Sequence, residues 1–158
     1  MRPARALVLA TIAWVFCAFT SLAQADWRTV PGPDGAFIVE MPGEPSNGVR
    51  RIGPSADVSY LYHSSRLTHS SEQFAADTFE MPPWKGVPQP RQALQELVDS
   101  AAMALREKKW LKTAWTEVEG ALGIAVVGIG EDGRAVRGLF AVKGKRFVIL
   151  TFGGASGK

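Results

Sequence analysis

The stretch Ile124 to Gly130 reads Ile-Ala-Val-Val-Gly-Ile-Gly, and Phe147 to Leu150 reads Phe-Val-Ile-Leu. β-Branched and aromatic residues dominate both, as strands prefer, yet neither alternates apolar with polar. An antiparallel sheet with one wet face would show that alternation. These strands are apolar on both sides, so both faces of this part of the sheet need cover.

The same region sets its own local topology. Ile124–Gly130, Ala135–Val142 and Arg146–Phe152 predict a meander. Its turns, Glu131-Asp132-Gly133 and Lys143-Gly144-Lys145, carry the glycine that tight hairpins need. Leu111–Val118 reads as a preceding strand, with Gly120 and Gly123 bracketing the turn between them. Cover for one face comes from a helix over Arg91–Lys109. Leu94, Leu97, Val98, Ala101, Met103, Ala104 and Leu105 recur there at spacings of three and four, the period of an amphipathic helix. Pro90 suits the first helical turn, where its missing N–H costs nothing. Glu96 and Asp99 toward the start, with Arg106, Lys108 and Lys109 at the end, complement the helix dipole. Cover for the second face has three candidate sources: the N-terminal strands and loops, a closing element that is missing, or a partner, including an oligomer formed through the uncovered face.

Nearer the N-terminus, Trp27–Val30 and Ala36–Met41 read as short strands around Pro31-Gly32-Pro33-Asp34-Gly35, a turn-rich connection. Residues 46–57 are polar and read as irregular. Val58–Thr68 carries strand formers, and Gln73–Glu80 reads as its hairpin partner, with one short helical turn as the alternative. Met81 to Pro90 holds four prolines and reads as a loop, since proline interrupts both kinds of ladder.

Met1–Ala25 has the three parts of a secretory signal: Arg2 and Arg5, the apolar run Leu7–Phe19, and Ala23-Gln24-Ala25 as the cleavage site. The apolar run is shorter than the roughly 20 residues a spanning helix needs. The expectation is cleavage after Ala25, with an uncleaved anchor as the alternative, and a bacterial periplasmic or secreted destination. The remainder, 26–158, is long enough for a single core. Cys17, the only cysteine, lies within the leader, so the mature domain has no disulfide, thiolate metal site or thiol nucleophile. The chain has 158 residues, 46% hydrophobic and 21% charged, which excludes collagen-like, coiled-coil and wholly disordered classes. Without Arg2 and Arg5, the 18 basic residues fall to 16 against 15 acidic ones, a net charge of +1. Such a balance gives no basic face for nucleic acid.

Gly35-Ala36-Phe37-Ile38-Val39-Glu40-Met41-Pro42-Gly43-Glu44-Pro45 resembles the opening of a group of small secreted bacterial PsbP-like domains. Ser59-Tyr60-Leu61-Tyr62, Phe79-Glu80-Met81-Pro82 and the segment from Val136 through Leu150 match its later parts, so the resemblance covers most of residues 27–152. It implies an α+β fold: an antiparallel sheet packed by a main helix in an α/β/α sandwich. Such domains mostly have no assigned function, and the resemblance carries over no catalytic residue. It also implies an amphipathic helix after the last strand, which this sequence lacks, as a truncated C-terminus would.

Candidate chemistry is sparse. Gly128-Ile129-Gly130-Glu131-Asp132-Gly133 spells G-x-G-x-x-G, but a dinucleotide site needs those glycines to open a helix. A strand follows here, so the motif reads as a hairpin turn. His63 and His69 are the only histidines; six residues apart, they match neither helix nor strand spacing for a shared metal. Asp57, Asp77 or Glu72 could complete a metal site with them, and Ser64 or Ser65 with a histidine and Asp77 has the elements of a hydrolase triad. No G-x-S-x-G elbow accompanies them, and triads are recognised by geometry. The residues best suited to a ligand or partner are Trp84, on its proline-stiffened loop, with Tyr60, Tyr62 and His63. An aromatic on a rigid loop is a typical binding anchor, and folding back onto the core is the plainer reading for Trp84. Arg50-Arg51 and the Arg106–Lys109 cluster read as a solvated face and a helix end.

These observations favour an exported, non-catalytic binding or assembly module that needs no cofactor and meets an unknown protein partner. The alternative is a small-ligand or metal-dependent protein, hydrolases included, using the His63/His69/Asp77 neighbourhood.

Overall fold

The computed structural model describes residues 27–32, 35, 37–53, 59–80 and 89–154. The leader, its cleavage site, Cys17 and the loop residues 81–88 with Trp84 lie outside them. In chain order the elements are β1 (Arg28–Pro31), β2 (Ile38–Met41), β3 (Ser46–Ile52), β4 (Tyr60–His69), β5 (Glu72–Glu80), α1 (Pro90–Ala102), β6 (Lys112–Val118), β7 (Ala121–Ile129), β8 (Ala135–Lys143) and β9 (Arg146–Gly153). Strands β1 and β2 form a separate hairpin. The other seven form one antiparallel sheet in the order β3-β4-β5-β9-β8-β7-β6. The chain is thus an α+β protein dominated by an antiparallel sheet with one main helix. No helix among the described residues is long and apolar enough to cross a membrane.

The non-alternating strands behave as their composition requires. On β9, Phe147 and Ile149 point toward α1, where they join Phe79, Leu94, Val98, Ile124, Val126, Phe140 and Val142 in the core. Leu94 and Val98 are wholly buried. Full burial of one such side chain stabilises by about 1.5–3 kcal/mol, so this seam is what fixes the helix to the sheet. Rings of Phe79 and Phe147 stack at 5.1 Å across the β5–β9 ladder. The indole N–H of Trp110 donates to the Val98 carbonyl at 2.8 Å, tying the connection after α1 to the helix itself.

The alternate residues Val148, Leu150 and Phe152 point to the second face. There the N-terminal hairpin lies over part of the sheet. Met41 is 2% exposed, Trp27 meets Phe74 edge-on at 6.0 Å, and Phe74 in turn meets Phe152 at 4.9 Å. Val39 and Met41 flank a cleft floored by Leu139, Leu150 and Phe152. Of the three covers considered for this face, the N-terminal strands therefore supply at least a part. Cover is incomplete, and Ala125 on β7 remains exposed.

Three local expectations need correction. Residues 46–57 do not begin as irregular chain: Ser46–Ile52 is the edge strand β3, exposed along almost its whole length. An edge strand with solvent on both sides has no apolar alternation to display. The helix ends at Ala102 rather than Lys109. From Met103 to Leu105 the amides fall back on carbonyls three residues earlier, and Leu105 bridges to Gly130, 3% exposed. Burying Leu105 against the sheet outweighs another helical turn. The supposed charge complement to the helix dipole falls with it, since α1 has no acidic residue in its first turn and no basic residue in its last. Lys108 still reaches back to the Met103 carbonyl at 2.9 Å. Finally, the turn before β7 is Glu119-Gly120, both with positive φ, and Gly123 lies inside the strand. A Cβ on Gly123 would approach Thr116 and the Phe140 carbonyl within 3.3 Å, so glycine there serves close packing.

Candidate functional site

The register of β4 against β5 decides how the histidine neighbourhood is arranged. His63 pairs with Thr78 and Ser64 with Asp77. Successive side chains alternate across a sheet, so Asp77 shares the α1 face with Tyr62, Ser64 and Arg66. His63, Ser65 and His69 share the second face. Six residues of strand hold the two histidines ~20 Å apart. Ser64 thus shares its face with Asp77 but with neither histidine, and Ser65 shares its face with the histidines but not with Asp77. Neither a triad nor a metal site forms from these residues, and among the described residues no three His, Asp or Glu side chains converge as metal ligands. The hydroxyls are engaged otherwise: Ser65 donates to Asn47 at 2.7 Å and Ser64 to the Gly48 carbonyl at 3.4 Å. Nδ1 of His63 and Oγ1 of Thr78, cross-strand neighbours, are both buried without a hydrogen-bond partner among the described residues.

On the α1 face, the predicted contact residues Tyr60 and Tyr62 are part of an aromatic row. Their rings lie 5.4 and 5.7 Å from Phe79, and Arg50 sits 4.7 Å over the Tyr62 ring. Next to them Arg66 grips Asp77 through two nitrogens, at 2.5 and 3.0 Å. Asp77 is 5% exposed, and a carboxylate removed from water needs such a partner. Burial pushes the Tyr62 phenol up to about 12, and the charge and hydrogen bonding of Asp77 add to that rise. The Arg66 guanidinium is raised too: burial works against its charge, but its bonds to Asp77 outweigh that. The Arg66–Asp77 pair bridges β4 and β5 on this face. Tyr60 and Tyr62 are brought together, while His63 is on the far side of the sheet from both.

The second face also carries a groove of about 530 Å³. Its floor comes from alternate residues of two paired strands, Leu139 and Ala141 on β8 with Leu150 and Val148 on β9. Phe37 and Ile38 from the N-terminal hairpin form one wall, and Val118, Glu119 and Ala121 from the β6–β7 turn form the other. Charged residues gather at one end: Lys143, Lys145, Arg146 and Glu80. Ile38 is 73% exposed, an apolar side chain presented at the lip. Pockets of roughly 300–1,000 Å³ with apolar linings and a few polar groups are the usual form of small-ligand sites.

None of these groove residues was among the contact residues expected from sequence. A signal for them existed: stepping by two from Leu139 reaches Ala141 and Lys143, and stepping back from Leu150 reaches Val148 and Arg146. Recognising the floor required knowing that the two rows lie side by side. Comparison with protein-family models, curated proteins and solved structures returns no match.

Proposed function

We propose that this chain is an exported, non-catalytic binding module of the PsbP-like kind, and that the second-face groove is where it binds. The single observation that carries the reading is that groove, apolar along its floor and charged at one end. The separation of the histidines from Asp77 by the thickness of the sheet supports a binding role over a hydrolytic or metal-dependent one. Export rests on the leader pattern of Met1–Ala25. The PsbP-like kinship rests on the motifs of residues 27–152, and a sheet with a helix on one face suits it.

The test is fluorescence of the neutral dye N-phenyl-1-naphthylamine, which brightens in apolar surroundings. The folded protein should brighten it saturably, and Ala141→Trp, which fills the floor, should abolish the effect while leaving the circular dichroism unchanged. A folded wild-type protein that leaves the dye dark overturns the reading, as does undiminished brightening in a folded Ala141→Trp protein.

A further inference from the structure

We infer that the groove takes an anionic amphiphile, an acyl chain with a carboxylate head, an assignment that rests on the groove being the binding seat. The floor is graded along its length. Three cross-strand pairs follow one another on the same face: Leu139 with Leu150, Ala141 with Val148, and Lys143 with Arg146. At about 3.4 Å per residue, the first pair lies roughly 14 Å from the third. An extended medium-length acyl chain laid along this floor would have its tail on the leucines and its head among the cations.

The charges at that end have a sign to offer. Two like charges directly opposite in a sheet oppose its formation, so Lys143 against Arg146 is a cost the fold carries. Arg146 is partly offset by Glu80, whose Oε1 accepts from it at 2.7 Å. Lys143 makes only a 3.4 Å contact with the Glu119 carbonyl, across the groove mouth. Lys145 has no ion-pair or hydrogen-bond partner among the described residues. Among the described residues that line this end, Lys143, Lys145 and Arg146 stand with the carboxylates of Glu80 and Glu119, so the described charges there sum to net positive. An apolar floor ending in a net positive charge fits a carboxylate on a chain, and it disfavours a cationic head by repulsion.

Isothermal titration of the purified protein with dodecanoate, dodecanol and dodecyltrimethylammonium, each kept below its micelle concentration, tests this. Dodecanoate should bind about tenfold or more tightly than dodecanol, as loss of a charge-assisted hydrogen bond would give, and dodecyltrimethylammonium should bind most weakly. Added salt should narrow the differences. Lys143→Glu/Lys145→Glu, both exposed and at a hairpin end, should bring dodecanoate to or below the level of dodecanol without altering dodecanol. Equal binding of all three amphiphiles, or unchanged dodecanoate binding in the double variant, overturns the head-group assignment and leaves the groove as a seat for apolar ligands. Binding of none of them overturns both.

Discussion

Arg66 and Asp77 meet across the β4–β5 ladder with two nitrogens on one carboxylate, and the two partners differ sharply in exposure: the Arg66 side chain is 48% exposed and that of Asp77 is 7%. The asymmetry makes the two single substitutions unequal. Arg66→Ala strands a buried carboxylate and should destabilise by about 1–3 kcal/mol. Asp77→Ala leaves a guanidinium that can turn to water and should cost less. The double variant should be more stable than the sum of the single losses implies, which urea unfolding of all four proteins would measure.

Tyr62 predicts an alkaline signature. Its folded-state value near 12 lies above the ordinary 10, so the protein favours the neutral phenol. The stabilisation this gives is complete below pH 10 and is lost as pH rises from about 10 through 12, because the unfolded chain ionises first. The chain has two tyrosines. In Tyr60→Phe, phenolate absorbance therefore reports Tyr62 alone, and its midpoint should stand near 12. A midpoint at 10 would mean that Tyr62 is not held beside Asp77 as described.

The helix boundary separates two residues that periodicity treats alike. Leu94 is wholly buried, while Met103 is 62% exposed beyond the end of α1. Leu94→Ala should cost about 2–5 kcal/mol, as deletions from a packed core do. Met103→Ala should fall within about 0.5 kcal/mol of wild type. Comparable losses at the two positions would restore the longer helix.

Gly128 offers a test from the other direction. A Cβ there would lie 2.7 Å from Cδ1 of Leu105 and 3.0 Å from the Trp110 ring. Gly128→Val should therefore displace the segment after α1, at a cost of about 1–3 kcal/mol. Near-ultraviolet circular dichroism should change with it, because Trp110 is the ring displaced.

What could be read from sequence followed from burial. Ile124–Ile129 and Phe147–Leu150 announced strands, and Pro90 announced the helix start, because apolar patterning and backbone geometry act locally; cover was legible only for the α1 face, since the second face is partly open. The edge strand Ser46–Ile52 was illegible, since polar residues on an exposed strand look like those of a loop. The helix end is not legible because Leu105 satisfies helical spacing equally well, and only the distant Gly128 and Gly130 reveal where it goes. The histidine cluster illustrates a third limit. Proximity in sequence brought His63 and Asp77 together on paper, and a single-residue difference in strand parity puts the sheet between them. The groove was hidden for the same reason, its floor being shared by two strands and its wall by the far N-terminal hairpin.

Strand β9 lies between β5 and β8, so it alone joins the N-terminal ladder β3-β4-β5 to the meander β8-β7-β6. A chain emerging N-terminus first cannot complete this sheet until β9 arrives, and each half must wait with an open backbone edge. Such long-range closure slows folding and leaves unpaired edges able to recruit other chains. The arrangement makes β9 a keystone: the two ladders have no shared edge until it is in place.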